Sequence, residues 1–275
     1  MNFVKITILG CDASYPSAGG ACSGYLLETD GKKVLIDCGS GIMSNLQKCC
    51  KPEELDCILI SHLHEDHKAD LHTLRYALDA KERKGLLHKK VDIYLPGNPE
   101  SDYKAVTNKM EDSFEVHELH EDTIVKLGDM EVSFMNAAHP ITTFSMKFKQ
   151  GNLSIVYTGD SAPNPALLGF CQGSDVIIGD ATYLKNNVPD NNKYHMTAEQ
   201  VGILGKKAGA NLTILSHLDP ENDLKDYKKE IAYLGGDKLA IAEIGMSIEV
   251  GKEKQITTSQ HSGFTKYEKT IVGCR

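Results

Sequence analysis

The sequence predicts an α/β fold in which two β-sheets pack face to face and helices cover their outer faces. Two observations predict it. Each half of the chain shows strand patterns first and helical patterns afterwards, so each half supplies one sheet with its covering helices. No linker separates the halves, which predicts one domain over residues 1–250. Residues 251–275 are polar and weakly patterned, and we expect a loosely ordered tail with short strands there.

Strands open the first half. Apolar alternation and short apolar runs bounded by turn residues predict strands at 4–9, 25–28, 33–37, 57–60, 91–95 and 114–116. Helices are predicted at 42–50, 69–84 and 102–110. The second of these is the clearest, because Leu71, Leu74 and Leu78 recur at helical spacing.

The second half begins with strands that suit antiparallel pairing, since turn residues such as Gly128-Asp129 join them. They are predicted at 123–127, 131–136, 143–148 and 153–158. Alternating elements follow, with helices at 165–170, 197–208 and 224–234 and strands at 176–178, 212–215, 239–241 and 247–250. This alternation is typical of parallel strands connected by helices.

Composition narrows the class of protein. The 275 residues are 41% hydrophobic and 25% charged, which is typical of a water-soluble globular chain. The net charge of −8 repels phosphate backbones and disfavours general nucleic-acid binding. No apolar run approaches the roughly 18 residues of a membrane span. Eight cysteines without a C-x-x-C pair, and a start without a signal-peptide pattern, predict reduced thiols in a cytoplasmic protein.

The densest chemical signal follows the apolar run 58–60. His62, His64, Asp66 and His67 lie within six residues there, although the whole chain holds only 11 histidines. Imidazole and carboxylate are the ligands that zinc and similar divalent metals prefer. In an extended segment His62 and His64 point the same way, because side chains alternate along a strand. The segment therefore predicts a metal site.

Four more ligand-type residues each follow an apolar strand pattern: Asp37, His139, Asp160 and His217. Taken singly, each is equally well explained as a turn or helix-capping residue. Strand ends that meet at one edge of a sheet are where α/β proteins usually form their sites. Taken together with the first cluster, these residues predict one shared metal site.

These residues, in this order, resemble the metal motifs of the metallo-β-lactamase superfamily, and the resemblance runs from about Val4 to Val250. It implies a four-layer αββα sandwich with a dinuclear site, usually of zinc with manganese as the alternative, at the edge between the sheets. One ion would be held by His62, His64 and His139, the other by Asp66, His67 and His217, with Asp160 and a hydroxide bridging them. Asp66 would also orient the hydroxide, and Asp37 would hold a ligand histidine from behind.

Two further segments resemble the RNase Z branch of that superfamily. Residues 178–183 resemble its His-Glu-Ala-Thr motif, with Asp180 in place of the glutamate and Gly179 in place of the first histidine. Residues 194–200 resemble its His-Ser-Thr motif. The resemblance implies that Asp180 orients a protonated His195, which stabilises charge on a phosphodiester or protonates the leaving oxygen.

The chain departs from the usual bacterial RNase Z in one feature. Those enzymes carry a long tRNA-binding arm between the third and fourth metal motifs, whereas only residues 140–159 separate His139 from Asp160 here. With the net charge of −8, this predicts a small or flexible phosphodiester substrate and not a folded transfer RNA. The branch also implies a homodimer. Tyr15 and Ser23 lie in a loop that usually overhangs such a site, and they are candidate substrate contacts.

Three alternatives stay open at the level of sequence. An RNase Z-type RNA endonuclease, or a hydrolase of a lactone, thioester or lactam, would use the same metals. A non-catalytic metal-holding module is disfavoured by the complete ligand set. We expect the paired Asp180 and His195 to discriminate between phosphodiester and carboxylic substrates.

Overall fold

The computed structural model of the protein describes residues 3–234, 238–251, 253–261, 263 and 264. Within them lie fifteen strands and seven α-helices. The strands of the first half are β1 (Phe3–Gly10), β2 (Gly24–Thr29), β3 (Lys32–Ile36), β4 (Cys57–Leu59), β5 (Val91–Pro96) and β6 (Phe114–Leu119). The helices of that half are α1 (Ile42–Leu46), α2 (Glu65–Lys68), α3 (Leu71–Glu82) and α4 (Glu100–Thr107).

The second half begins with four antiparallel strands, β7 (Ile124–Leu127), β8 (Met130–Asn136), β9 (Phe144–Gln150) and β10 (Leu153–Tyr157). The later strands are β11 (Val176–Asp180), β12 (Leu212–Ser216), β13 (Leu239–Ile241), β14 (Met246–Gly251) and β15 (Ile256–Gln260). The helices are α5 (Pro165–Cys171), α6 (Ala198–Ala208) and α7 (Leu224–Ile231).

The strands form two mixed sheets. One has the order β15-β14-β1-β2-β3-β4-β5-β6 and the other β13-β12-β11-β10-β9-β8-β7. One apolar cluster fills the space between the sheets, a second lies under α1, α3 and α4, and a third lies under α5, α6 and α7. The predicted αββα sandwich is therefore confirmed.

The central strands of the second sheet show why the sequence favours this arrangement. β10, β11 and β12 pair in parallel, and every residue in them is buried. Parallel strands covered on both faces need almost continuous apolar sequence, as these three have. Their carboxyl ends therefore lie at the same edge of the sheet, which is the edge that carries the candidate site.

One predicted helix differs from the structure, and the predicted tail contains one of the short strands expected there. The helix predicted to reach Cys50 ends at Leu46, because residues 48–50 close turns onto the carbonyls of Asn45 and Leu46 and Pro52 follows. The predicted tail contains β15, which pairs with β14 and extends the first sheet. Residues 252, 262 and 265–275 of that tail lie outside the described residues. No helix in the described part of the chain has the length and apolar content to cross a membrane.

Candidate metal centre

The first group of candidate ligands consists of three histidines that meet one carboxylate. His62 and His64 leave the end of β4, and His139 comes from the β8–β9 connection. The His64 Nδ1 atom lies 3.1 Å from both His62 Nε2 and His139 Nε2. Asp160 Oδ2 lies 3.4 Å from His62 Nε2 and 3.9 Å from His139 Nε2. These four donor atoms lie within 4.8 Å of one another, close enough to bind one ion together.

The second group lies on the other side of the same carboxylate. His217 Nε2 is 3.1 Å from Asp66 Oδ2 and 3.3 Å from His67 Nε2. The other oxygen of Asp160, Oδ1, lies 3.2 Å from His67 Nε2 and 3.4 Å from His217 Nε2. The structure therefore brings together all seven residues that the sequence analysis assigned to the two ions, in two groups of the predicted membership.

Asp160 provides the test of whether metal ions fit here. Its side chain is 3% exposed, and Oδ1 has no hydrogen-bond partner among the described residues. A buried carboxylate oxygen without a partner is costly unless a cation satisfies it. The two oxygens face one nitrogen-rich group each, so Asp160 fits as a ligand shared by two divalent ions.

Close backbone packing fixes the position of the second group. Asp66 and His67 lie in the short helix α2, and Cys38 N–H donates to the His67 carbonyl at 2.8 Å. A Cβ atom on Gly39 would lie 1.9 Å from the Asp66 carbonyl oxygen. Only glycine allows this approach, and the approach holds α2 against the end of β3.

Asp37 lies behind the second group and contacts the ligand His67. Its Oδ2 atom accepts hydrogen bonds from His67 Nδ1 at 2.8 Å, from Tyr157 Oη at 2.7 Å and from Ser61 Oγ at 2.8 Å. Asp37 is fully buried, and its φ of 56° is in the left-handed region that non-glycine residues seldom adopt. The bond to Nδ1 directs Nε2 of His67 towards the ligand group.

Replacing Tyr157 with phenylalanine should test this network. We expect the variant to lose about 1.5–3 kcal/mol of unfolding free energy, the usual contribution of a hydrogen bond to a charged group. Urea unfolding of the metal-free protein measures it. Tyr94→Phe is the matched control, because Tyr94 is a partly buried tyrosine packed on the same core without a network bond. Equal losses in the two variants would contradict the assigned role.

The two groups differ in charge when no metal is bound. Burial lowers the pKa of His62 to about 4 and that of His139 to about 3, and it lowers the pKa of His64 as well. Burial also opposes protonation of His217, but Asp160, Asp180 and Asp66 outweigh it and raise its pKa to about 10. The same balance, with Asp160 foremost among the carboxylates, raises the pKa of His67 well above its usual range.

This asymmetry predicts a difference in proton release. Metal ligation needs neutral imidazole, so an ion entering the His67–His217 group must displace protons from imidazoles whose pKa is raised. An ion entering the His62–His64–His139 group displaces almost none. The metal affinity of the His67–His217 group should therefore rise more steeply with pH than that of the His62–His64–His139 group. Calorimetric titration in buffers of different ionisation enthalpy measures the released protons, and equal release at both steps would contradict the prediction.

Asp180 and His195 form a pair beside the second group. The His195 Nδ1 atom lies 2.9 Å from Asp180 Oδ2, while Asp180 Oδ1 accepts from Thr182 Oγ1 at 2.7 Å. Burial disfavours the His195 imidazolium, but Asp180 outweighs this effect and raises the His195 pKa. The ring of His195 stacks on that of His217 with centroids 5.4 Å apart. The pair thus places an imidazole with a raised pKa at the edge of the metal groups.

The loop between β1 and β2 carries Tyr15 and Ser23, the two residues that were expected to contact substrate. Tyr15 is exposed and donates to Glu221 Oε1 at 2.9 Å, so its ring stands in solvent. Ser23 is fully buried, so the expectation of a substrate contact there was wrong. The same loop supplies a contact that the sequence analysis missed, since Ser14 N–H donates to Asp66 Oδ2 at 2.9 Å.

Three hydroxyl residues around the ligands were also missed. Ser61 and Tyr157 donate to Asp37, and Thr182 Oγ1 lies 2.8 Å from His217 Nδ1. Ser61 and Thr182 are each close in sequence to a predicted site residue, and that adjacency was the available signal. Tyr157 lies inside an apolar strand pattern and gave no signal.

Comparisons with known proteins agree with this geometry. A family described as "Beta-lactamase superfamily domain" matches residues 32–218. The probable metallo-hydrolase YhfI of Bacillus subtilis is 27% identical over 88% of this chain and 98% of its own length. Its crystal structure superposes with a TM-score of 0.84 at 27% identity and covers 90% of this chain and 100% of YhfI.

Two more distant proteins are also similar. Ribonuclease Z of Pyrococcus horikoshii is 22% identical over 82% of this chain and 90% of its own length. A diphosphatase from the PhnP family superposes with a TM-score of 0.71 at 19% identity, covering 89% of this chain and 96% of that one. At 19% identity, the similarity to the diphosphatase shows a shared fold only.

Proposed function

This chain belongs to the β-lactamase superfamily, and from that premise we propose that it is a dinuclear-metal phosphodiesterase acting on a small or flexible phosphodiester. The observation that carries the proposal is the Asp180–His195 pair, 2.9 Å between Oδ2 and Nδ1, beside the shared carboxylate Asp160. Phosphodiester hydrolysis expels a poor leaving group from an anionic centre, and a protonated imidazole serves both needs. The similarity to a probable metallo-hydrolase supports hydrolysis as the reaction class.

We propose zinc as the resident metal, with manganese as the alternative. The two groups offer five imidazole nitrogens and carboxylate oxygens from Asp66 and Asp160, a donor set that suits borderline divalent ions. Two such ions would supply an activated water and positive charge next to the attacked phosphorus.

The side chains around the ions have separate roles in this proposal. Asp66 is held by Ser14 N–H at 2.9 Å, so its carboxylate is oriented to take a proton from the attacking water. His195 is fixed at Nδ1 by Asp180, which leaves Nε2 as the proton donor to the leaving oxygen.

Replacing Asp180 with asparagine should shift the pH dependence of this step. Asp180 raises the pKa of His195, so its loss lowers that pKa. A general acid works only while protonated, and the falling alkaline limb of kcat should therefore move to lower pH in Asp180→Asn. A pH–rate profile of both proteins measures the shift. An unchanged alkaline limb would separate His195 from proton donation.

The substrate proposal rests on the shape of the chain between two ligands. Residues 140–159 fold as the β9–β10 hairpin and its short connections, so this segment has no protruding arm. With the net charge of −8, we propose that folded transfer RNA is not the substrate. We also propose a cytoplasmic homodimer that does not associate with membranes.

A substrate screen tests the function. The zinc- or manganese-loaded protein is assayed with cyclic and linear phosphodiesters, a precursor transfer RNA, lactones, thioesters and nitrocefin. We expect kcat/KM for at least one small phosphodiester to exceed that for every carboxylic substrate by about 100-fold or more. Efficient turnover of a lactone with an untouched phosphodiester would overturn the proposal, and efficient cleavage of the transfer RNA would favour the endonuclease.

A further inference from the structure

The loop between β1 and β2 is bound to the second ligand group at two points. Ser14 N–H donates to Asp66 Oδ2 at 2.9 Å. The preceding residue, Ala13, donates its N–H to the Leu218 carbonyl at 2.8 Å, and Leu218 directly follows the ligand His217. The loop therefore contacts one ligand through its carboxylate and another through the neighbouring peptide group.

The three ligands that belong to the second group alone are each held by a residue outside the two groups. These hydrogen bonds join His67 to Asp37 at 2.8 Å, His217 to Thr182 at 2.8 Å and Asp66 to Ser14 at 2.9 Å. Asp37 and Thr182 are buried, whereas Ser14 is exposed. The orientation of Asp66 thus depends on a surface loop, while the two histidines are oriented from the core.

The backbone at Ser14 needs support from the rest of this loop. Its φ is 60°, in the left-handed region that non-glycine residues seldom adopt. A residue in this region persists only where its surroundings hold it there. Because the Ser14 side chain is exposed, its own burial cannot supply that support.

Asp12 closes the loop around Ser14. Its Oδ2 atom accepts hydrogen bonds from Ser17 N–H and from Ser17 Oγ, each at 2.7 Å. The two bonded residues lie on either side of Ser14 in the sequence. A Cβ atom on Gly20 would lie 2.2 Å from Asp12 Oδ2, so glycine leaves the space that this carboxylate occupies.

We propose that Asp12 is a positioning residue for the second metal ion, because it fixes the loop that holds Ser14 N–H against Asp66. None of the hydrogen bonds that Asp12 makes with described residues goes to a ligand, so it acts through the loop. A ligand that is oriented before the ion arrives loses less freedom on binding it, and removing such outer partners usually weakens metal affinity about 10–100-fold.

The effect should be confined to the second group. In the described part of the chain, no hydrogen bond joins this loop to the ligand histidines of the first group, His62, His64 and His139. The inference goes beyond the proposed phosphodiesterase function and does not depend on the substrate, because it concerns metal affinity alone.

The test measures each ligand group by itself. His139→Ala removes a ligand of the first group only, and His217→Ala removes a ligand of the second group only. Asp12→Ala is added to each variant, and zinc affinity is measured by competition with a chromophoric chelator, without any turnover. We expect the zinc Kd to rise at least about tenfold in the His139→Ala protein and less than about twofold in the His217→Ala protein.

Two further variants separate the hydrogen bonds from charge and from general loosening. Asp12→Asn removes the charge but keeps an oxygen acceptor for Ser17, so it should restore most of the zinc affinity. Asp56→Ala is the matched control, because Asp56 accepts from Lys33 N–H at 3.0 Å and lies before β4, at the opposite end of that strand from the ligands. It should leave the zinc affinity of both groups unchanged.

The remaining outcomes decide against the proposal. Unchanged zinc affinity of the second group in Asp12→Ala, equal weakening of both groups, or an Asp12→Asn protein as weak as Asp12→Ala would overturn it. Ser17→Ala, at an exposed position, removes one of the two bonds and should weaken the second group by a smaller factor, which tests the proposal even if Asp12→Ala does not fold. Turnover of a lactone in place of a phosphodiester would overturn the proposed function and leave these expected affinities as they are.

Discussion

Replacing His195 with alanine should lower kcat for the preferred phosphodiester by about 10²–10⁴-fold, the usual contribution of a general acid. The reason is geometric, because Asp180 fixes Nδ1 at 2.9 Å and the His195 ring packs against the metal ligands His139 and His217. His195 belongs to neither of the two predicted ligand groups, so metal content should stay unchanged. Steady-state kinetics with metal analysis on the same preparation measures both quantities.

Two controls accompany the His195→Ala measurement, a lactone as second substrate and a second histidine variant. A lactone contains a better-activated carbonyl centre, and its hydrolysis should fall far less in the same variant. His120→Ala is the matched control, since His120 is an exposed histidine away from the site. If His195→Ala loses metal, or if both substrates lose the same factor, His195 supports the site structurally and does not donate a proton.

Replacing Asp160 with asparagine should have the largest effect of all. The two oxygens of Asp160 face different ligand groups, so one change of charge weakens both metal sites. We expect the metal content to fall from about two ions per chain to fewer than one. Activity should fall at least about 10³-fold, because the two ions together supply several kcal/mol of transition-state stabilisation.

Asp175→Asn is the matched control, because it also removes a buried negative charge. It separates the loss of metal from the general cost of removing such a charge. Asp175 is 1% exposed, lies just before β11 and accepts from Ser154 N–H at 2.9 Å, and it belongs to neither group of candidate ligands. This control should lower stability and keep both metals. An Asp160→Asn protein that retained two ions per chain would show that each group is complete without the shared carboxylate.

The fold and the ligand residues could be predicted because both follow from patterns in single segments. Buried parallel strands read as apolar runs, and each of β3, β4, β10 and β12 ends at or just before a ligand-type residue. Their common edge then brings these residues together without any further information. His139 follows the same rule, since β8 runs in the same direction as β10 across two antiparallel pairings.

The surroundings of the ligands could not be predicted in the same way. Tyr157 reaches Asp37 across two different sheets, and nothing in an apolar strand pattern distinguishes a tyrosine that packs from one that donates. The connection at residues 188–193 has no periodicity, because its shape depends on the bonds that Asn192 makes to neighbouring backbone atoms. Ser23 was placed wrongly because burial of a loop residue depends on packing between segments distant in the chain.

Each ligand group combines residues from both sheets, so folding of both halves must precede metal binding. His62, His64, Asp66 and His67 come from the first sheet, whereas His139, Asp160 and His217 come from the second. A nascent chain that has emerged only as far as β6 therefore holds an incomplete set for either ion. Tight metal binding therefore requires that the two halves have docked. Folding intermediates that lack the second half would not form the metal centre and would have no hydrolytic activity.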